Sequence, residues 1–216
     1  MMKEKIITRD GSITFKDEKT GDHYHSITIG ALEEAREKYA KQVRPSDGMV
    51  CLDFCFGLGY NTLALFKILK RCEVIAIEND PKIIDAIRDI EVPTEYKDDY
   101  DNIKKSIFEK TVDENKRLKL IVSDARDALK NLPDNSFDAV MFDPFAPSKD
   151  SDLWTQEVFD EMARIMKKGA RLATYSCAGH VREKLKNAGF EVFDGVCLGR
   201  RAPSTLAVKR LKTSNF

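Results

Sequence analysis

The amino-acid sequence predicts a single α/β domain with a mostly parallel, seven-stranded sheet, helices on both faces and an amino-terminal extension. From Met49 onward, short apolar runs alternate with amphipathic segments, which is the pattern of repeated strand-helix units. The first apolar run leads directly into a glycine-containing turn and then a helix. The length of 216 residues suits one hydrophobic core of this kind and is short for two.

Before the sheet, residues 11–26 are rich in turn formers and predict either a small hairpin or an ordered loop. Residues 30–43 predict an amphipathic charged helix, which completes an extension over 1–48. The core then covers 49–210. Its strands are apolar, mostly rich in β-branched or aromatic residues and bounded by turn formers, and they are expected at 49–55, 73–78, 118–124, 137–144, 170–177, 190–195 and 204–210.

The segments between these strands carry apolar positions three and four residues apart. Pro81 suits the first turn of one helix, and Gly169 and Gly189 suit helix ends. The segment 92–116 is highly charged and longer than a usual connection, so we expect an inserted surface helix there. The other helices of the core are expected at 61–71, 81–89, 125–132, 155–168 and 179–188.

The composition excludes several classes of protein. Hydrophobic residues make up 42% of the chain and charged residues 33%, which is enough apolar material for a core and unlike a disordered chain. There is no apolar run long enough for a membrane span and no apolar signal segment at the start, so we expect a cytoplasmic protein without a membrane partner. The formal net charge is zero, so any RNA contact must use local basic patches.

Five cysteines, an odd number, predict reduced thiols and not a disulfide framework. Cys51 and Cys55 lie on a predicted strand without neighbouring ligands, so no metal site is expected.

The turn after the first strand is the first candidate binding element. Phe56, Gly57, Gly59 and Asn61 stand where a parallel strand passes into a helix, and nucleotides bind at that place in this architecture. Glycine lets the backbone turn sharply and approach a ligand without an intervening Cβ. A lone Gly-x-Gly is weak evidence by itself, and the full dinucleotide spacing is not met because Thr62 stands where a third glycine or alanine belongs.

Acidic residues end the next three strands. Glu78, followed by Asn79, comes about 20 residues after the turn, where a carboxylate can accept both ribose hydroxyls of a nucleoside. Asp124, followed by Ala125, could accept from an adenine amino group. Helix capping is the alternative role for both acids, and Asp80 could equally cap the helix that follows Glu78.

Asp143 ends the fourth strand, in a proline-bounded loop that places an acid and an aromatic residue at the centre of the same sheet edge. Four strand ends that converge on one crevice favour an adenosyl ligand over NAD.

Residues 142–154, FDPFAPSKDSDLW, closely resemble the DGFAPxKNPDMW signature of the MnmC-type methyltransferase domain. The resemblance leaves out mainly the charged insert and the carboxyl-terminal tail. Two departures are Cys55, in place of the first glycine of the family's GFGTGxN turn, and Pro144, in place of the glycine after the acid. Other similar segments are 172–182, 188–190, 199–201, 10–12 and 22–26, together with Gly30, Ala31 and Glu34.

The resemblance implies a Rossmann-like class I methyltransferase that uses S-adenosylmethionine (SAM). It further implies methylation of the primary amine of 5-aminomethyl-(2-thio)uridine at the tRNA wobble position, which yields the methylaminomethyl group. The bifunctional relatives carry an FAD-dependent oxidase domain after the methyltransferase. The chain given ends at Phe216, so it resembles the stand-alone methyltransferase, and neither FAD nor a metal is expected.

Within that reaction we expect Asp143 to be catalytic, accepting a hydrogen bond from the substrate amine, and also to contact the cofactor. A wobble base must leave the anticodon stack, and flipped bases are held by aromatic faces, for which Tyr24, His25, Phe145 and Trp154 are candidates. Packing at a helix entry is the alternative for Trp154. Phosphates of the anticodon stem-loop could be bound by Lys149, Arg200 and Arg201, and less specifically by Arg164, Lys167, Lys168, Arg171, Arg182, Lys184 and Lys186.

Two other functions remain open at this level. A methyltransferase or aminopropyltransferase-like enzyme acting on a small amine would share the fold and the aspartate. A non-catalytic SAM-binding protein that interacts with RNA would keep Glu78 and Asp124 but would not need Asp143. No sequence feature specifies the oligomeric state.

Overall fold

A computed structural model describes residues 5–199 and 201–211. Its secondary structure alternates between strands and helices from Met49 onward, as the apolar pattern predicts. The strands are β1 (Lys5–Ile7), β2 (Ile13–Phe15), β3 (Met49–Phe54), β4 (Cys72–Glu78), β5 (Lys116–Val122), β6 (Phe137–Phe142), β7 (Met166–Thr174), β8 (Phe190–Asp194) and β9 (Thr205–Lys209). The helices are α1 (Ala31–Glu34), α2 (Tyr60–Ile68), α3 (Pro81–Ala86), α4 (Lys97–Lys104), α5 (Ala125–Lys130), α6 (Gln156–Ile165) and α7 (Gly179–Asn187).

Seven strands form the central sheet in the order β5-β4-β3-β6-β7-β9-β8. The first five of these are parallel to one another, while β9 runs antiparallel to both β7 and β8. The predicted mostly parallel, seven-stranded sheet is therefore confirmed. Because the chain proceeds from β3 outward to β5 and then returns to the other side of β3, the switch in strand order lies between β3 and β6.

Helices cover both faces of the sheet, and alternate strand residues point to one face or the other. In β3, Cys51 packs in the cluster with α1 to α4, while Leu52 and Phe54 pack in the cluster with α5 to α7. In β6, Met141 and Phe142 divide between the faces in the same way. The continuous apolar runs seen in the sequence follow from this burial on two sides.

The charged insert is helical, as predicted, but it is not only a surface element. Helix α4 continues as a π-helical stretch, Lys105–Glu109. Tyr100 and Ile103 are buried in the core cluster that includes α2, and the Tyr100 hydroxyl donates to the Leu58 carbonyl at 2.9 Å. Because the segment is so highly charged, its sequence does not predict this short apolar face.

The predicted helix 155–168 is too long at its carboxyl end. Helix α6 ends at Ile165, and buried Met166 already pairs with Phe137 in the sheet. The β6-β7 pairing then shifts register before Arg171, and Gly169, with φ of 78°, lies within this irregular stretch and not at a helix end. A short apolar stretch fits both the helical and the strand repeat of apolar residues, so the sequence does not mark the boundary between α6 and β7. Helix α2 likewise ends at Ile68, three residues before its predicted end.

The amino-terminal extension contains the hairpin that the sequence allowed. Strands β1 and β2 pair antiparallel, and the segment 16–28 then runs from β2 to α1. Helix α1 continues as a π-helical stretch, Ala35–Ala40, whose Tyr39 is fully buried. Within the described ranges there is no helix with the length and hydrophobicity of a transmembrane span.

Candidate functional site

A large cavity opens at the carboxyl ends of the parallel strands, around the switch point between β3 and β6. Its volume is about 880 Å³, which is within the size range of cofactor sites. Four strand ends contribute to its wall, through Gly57 after β3, Glu78 in β4, Asp124 after β5 and Asp143 after β6. The convergence predicted from the sequence therefore takes place.

The glycine turn owes its shape to three residues in the left-handed region. Gly57 has φ of 55° and Gly59 has φ of 79°, and Cys55, which stands where the similar family has glycine, has φ of 65°. Only glycine adopts this region at no steric cost, so the cysteine is held there by its surroundings. Phe56 lies beneath the turn, 1% exposed, and packs against Gly59.

Gly59→Ala is expected to lower the free energy of unfolding by more than about 1 kcal/mol, because alanine is disfavoured at this φ. The added Cβ would also lie 2.6 Å from Phe56 Cζ. Gly179→Ala is the matched control, since its Cβ would meet no atom within 4 Å and its φ is not positive. Urea unfolding of both variants measures the difference. Equal stability of the two variants would contradict the structural role of Gly59.

Asp53 fixes the start of α2 behind the turn. Its Oδ2 accepts from the Thr62 backbone N at 3.1 Å and from Thr62 Oγ1 at 2.6 Å, while its Oδ1 is buried and has no hydrogen-bond partner in the described part of the chain. Burial raises the pKa of Asp53 to about 7, although the two hydrogen bonds from Thr62 act in the opposite direction.

This raised pKa predicts a pH dependence of stability. Between about pH 4 and pH 7 the folded state keeps the Asp53 proton that the unfolded state loses, so the contribution of Asp53 to stability falls as the pH rises through this window. Asp53→Asn removes the titration and keeps an acceptor for Thr62. We expect the stability difference between variant and wild type to shift in favour of the variant by about 1.4 kcal/mol per pH unit. Thermal unfolding from pH 4 to pH 8 tests this, and a pH-independent difference would contradict it.

Glu78 ends β4 with a carboxylate that is 7% exposed and lies against the turn. Its Oε2 accepts from Gly57 N at 2.9 Å, and its Oε1 accepts from the backbone N atoms of Asn79 and Asp80 at 2.8 and 2.9 Å. Burial raises the pKa of Glu78, and these three hydrogen bonds oppose the rise. The capping of α3 is performed by Asp80, which accepts from Lys82 N, so Glu78 is not needed for that purpose.

Asp124 caps helix α5, which was the alternative to its predicted role as an acceptor for adenine. Its Oδ1 accepts from Arg126 N at 2.9 Å at the start of α5, and its Oδ2 pairs with the Arg126 guanidinium at 2.9 Å. The Arg126 hydrogen bond lowers the pKa of Asp124 to about 2. The carboxylate also lines the cavity, so capping leaves it in reach of a ligand.

Asp143 is half-buried at the centre of the cavity wall. One oxygen accepts a short hydrogen bond from the Tyr39 hydroxyl, and the other accepts from Asn61 Nδ2 at 3.0 Å. Burial raises the pKa of Asp143 well above its usual value, and the nearby Glu34 carboxylate raises it further. Tyr39 and Asn61 oppose this rise, and they also fix the orientation of the carboxylate.

The segment 16–28 and the loop after Asp143 close the cavity from opposite sides. Tyr24 and Phe145 form an edge-to-face pair with ring centroids 5.1 Å apart, and the Tyr24 hydroxyl donates to Asp80 at 3.2 Å. Lys149 Nζ donates to the Thr20 carbonyl at 3.0 Å. The extension is thus part of the site and not an appendage.

The cavity brings together most of the residues singled out in the sequence. Those that line it are Tyr24, His25, Gly57, Glu78, Asn79, Asp124, Ala125, Asp143, Phe145 and Lys149. Phe56, Gly59 and Asn61 are not in the lining and support it from behind. Arg201 is exposed and outside the lining, and Arg200 lies outside the described residues.

Trp154 does not have the predicted role of stacking against a flipped base. It is 1% exposed, packs edge-to-face against Phe142 and Tyr175, and donates from Nε1 to the Phe145 carbonyl at 2.8 Å. Its ring therefore has no free face for a base, and the packing alternative is correct. Its contribution to the site is to hold the loop that carries Phe145.

Tyr39, Tyr175 and Arg126 belong to the site but were not singled out in the sequence. Tyr39 and Tyr175 are separated from Asp143 by long stretches of chain. Tyr175 lies in the family-like segment 172–182, but nothing in that segment marks it as a site residue, and Tyr39 lies in no such segment. Glu34, which the sequence comparison noted only as part of a pattern, lines the cavity and binds Ser26 N at 2.9 Å and Lys38 Nζ at 2.7 Å. Among residues 5–199 and 201–211, no group of three or more His, Cys, Asp or Glu side chains is arranged to hold a metal ion.

A doubly wound sheet with its ligand cavity at this switch point, lined by a glycine turn and strand-end acids, is the architecture of class I SAM-dependent methyltransferases. The family described as S-adenosyl-L-methionine-dependent methyltransferase matches residues 91–210, more than half of the chain, and the chain belongs to that family. The MnmC-type resemblance is also confirmed by individual relatives.

The crystal structure of MNMC2 from Aquifex aeolicus is 28% identical, with a TM-score of 0.84 over 98% of this chain and 71% of that one. The tRNA 5-methylaminomethyl-2-thiouridine biosynthesis bifunctional protein MnmC of Ralstonia nicotianae is 44% identical over 42% of this chain and 14% of its own length. The uncharacterized protein MJ0670 of Methanocaldococcus jannaschii is 30% identical over 94% of this chain and 59% of its own length. This chain thus spans less than two thirds of these two curated relatives.

Proposed function

We propose that this protein transfers the methyl group of SAM to the primary amine of 5-aminomethyl-(2-thio)uridine at the wobble position of tRNA. The observation that carries the proposal is Asp143, a half-buried carboxylate held by Tyr39 and Asn61 at the meeting point of the donor and acceptor sides of one cavity. The similarity to the MnmC proteins supports the choice of nucleotide.

The residues present fit the donor. Gly57 lines the cavity at the turn, and Glu78 offers a fixed, nearly buried carboxylate for the ribose hydroxyls. Asp124 and Ala125 are placed for the adenine, with Asp124 as the acceptor for its amino group. Ten residues of the cavity lining are acidic and four are lysine or arginine, so a cationic donor is attracted. No flavin or metal takes part in the proposed reaction.

Asp143 would orient and deprotonate the acceptor. A primary amine arrives largely as an ammonium ion, and its nitrogen must lose a proton before its lone pair can attack. Because burial raises its pKa, Asp143 takes up that proton more readily than an exposed aspartate would. When bound, SAM supplies a methyl group on a positively charged sulfur, which keeps the electron pair of the broken bond. Tyr39 and Asn61 hold the Asp143 carboxylate in line throughout.

The acceptor base would bind beside the Tyr24–Phe145 pair. Both rings line the cavity together with Asp143, and a flipped uridine can pack against them. The Lys149 ammonium is placed on the same rim, where an anticodon phosphate can replace its contact with the Thr20 carbonyl. We propose that the reaction takes place in the cytoplasm.

Three of the other basic side chains are already held in ion pairs and offer little free charge for phosphates. Arg164 pairs with Asp134 and Glu161, Lys167 with Asp138, and Arg182 with Asp194. A phosphate contact by any of these would have to break an existing ion pair. We therefore assign the anticodon contact to the cavity rim at Lys149.

The proposal is tested by incubating the protein with methyl-labelled SAM and tRNA that carries 5-aminomethyl-2-thiouridine, followed by nucleoside mass spectrometry. We expect label in 5-methylaminomethyl-2-thiouridine and none with tRNA that lacks the aminomethyl group. Label in neither tRNA, from a protein that binds SAM, would refute the proposal.

A small free amine is the second candidate acceptor, because the excess of acidic residues in the cavity lining also suits a small polycation. Diamines and polyamines added to the same assay in place of tRNA distinguish the two. Turnover of a free amine at a higher kcat/KM than the tRNA would favour this second function. Binding of SAM without turnover of any acceptor would favour the non-catalytic alternative.

A further inference from the structure

His25 lies in the cavity wall in a fixed position. Its backbone N donates to Thr14 Oγ1 at 3.1 Å, and its ring packs edge-to-face against Tyr60, with centroids 5.0 Å apart. Tyr60 is itself held, because its hydroxyl accepts from Ile13 N at 3.2 Å and donates to the Ile13 carbonyl at 2.9 Å. The other side of the His25 ring faces the turn, where Cε1 would lie 3.6 Å from a Cβ on Gly57.

The imidazole carries a polar atom whose hydrogen bond is missing. His25 Nδ1 is buried and has no hydrogen-bond partner among the described residues. An unpaired buried polar atom costs free energy, so such an atom at a ligand cavity indicates a partner that arrives with the ligand.

The surroundings define the charge of that partner. Glu34 and Asp143 line the same cavity as His25, and Glu34 and Asp10 are close enough to act on the imidazole electrostatically. Burial outweighs both acids and lowers the pKa of His25 to about 4, so the ring is neutral at neutral pH and can accept a hydrogen bond. A neutral acceptor among carboxylates suits a cation with N–H donors.

We propose that His25 accepts a hydrogen bond from a primary ammonium group that binds between the imidazole, Glu34 and Asp143. This inference rests on the proposed function, which brings two such groups into the cavity. One is the ammonium of the methionyl part of SAM, and the other is the aminomethyl group of the acceptor before it loses its proton. In either case His25 is a specificity-determining residue that recognises the group by its N–H donors and not by stacking.

His25→Phe tests the proposal, because phenylalanine keeps a ring against Tyr60 and removes both nitrogens. His25→Asn is the matched rescue variant, since its amide oxygen falls near the position of Nδ1. Calorimetry compares the binding of SAM with that of 5′-methylthioadenosine, which lacks the amino-acid part. A second titration, with S-adenosylhomocysteine present, compares 5-aminomethyluridine with 5-methyluridine. Thermal unfolding verifies that both variants are folded.

If the ammonium of SAM is the partner, His25→Phe weakens SAM binding by about tenfold or more and leaves 5′-methylthioadenosine unchanged. If the acceptor is the partner, SAM binding is unchanged and the preference for 5-aminomethyluridine over 5-methyluridine falls by a similar factor. In both cases His25→Asn recovers most of the loss.

The proposal is overturned if neither preference changes, if 5′-methylthioadenosine is weakened as much as SAM, or if His25→Asn behaves like His25→Phe. All of these measurements are of binding and require no turnover. A wild-type protein that binds SAM but does not methylate tRNA would therefore refute the proposed function without deciding the role of His25.

Discussion

Asp143→Asn is expected to reduce the rate of methyl transfer to aminomethyl-tRNA by about 10² to 10⁴-fold, the usual range for loss of a general base. Asparagine keeps the shape of the side chain, can accept from Asn61 and can pair with the Tyr39 hydroxyl, so the cavity wall stays in place. Its amide cannot take up the proton of the ammonium. Single-turnover kinetics with enzyme saturated in SAM measures the chemical step directly.

The matched control is Asp138→Asn, because Asp138 lies in the same strand at the end away from the cavity and pairs with Lys167. We expect this variant to retain the wild-type rate. SAM binding by Asp143→Asn should remain measurable by calorimetry. A rate within threefold of the wild type would rule out proton transfer through Asp143.

Glu78→Gln is expected to weaken SAM binding by about 100-fold or more, because hydrogen bonds to a charged group contribute about 1.5 to 3 kcal/mol each and two ribose hydroxyls are involved. The substitution acts on the turn as well. Both carboxylate oxygens accept backbone N–H groups, from Gly57, Asn79 and Asp80, and the amide nitrogen of glutamine cannot accept at either position.

Glu73→Gln serves as the comparison, since Glu73 lies earlier in the same strand and does not line the cavity. Calorimetric titration of SAM into both variants gives the two dissociation constants, and thermal unfolding separates lost affinity from lost folding. If the two variants bound SAM equally well, Glu78 would have only the structural role of holding the turn.

The period of the apolar residues was sufficient to predict the doubly wound sheet, since strands buried on both faces and helices buried on one leave different patterns. It was insufficient at the end of α6, where Met166 is buried in either structure and only pairing with Phe137 makes it a strand residue. It also concealed the apolar face of α4, because Tyr100 and Ile103 are isolated among charged residues.

The candidate site, like the fold, was only partly predictable from the sequence. By itself, the sequence determined which acids and glycines meet, because carboxyl ends of parallel strands share one edge and Glu78, Asp124 and Asp143 each end a strand. Only the tertiary structure decided which side chains complete the cavity. In that structure Trp154 is buried in the core, the Tyr39 hydroxyl donates to Asp143, and His25 Nδ1 has no hydrogen-bond partner among the described residues. These contacts join residues far apart in the chain, and their geometry depends on packing that leaves no periodic or local signal in the sequence.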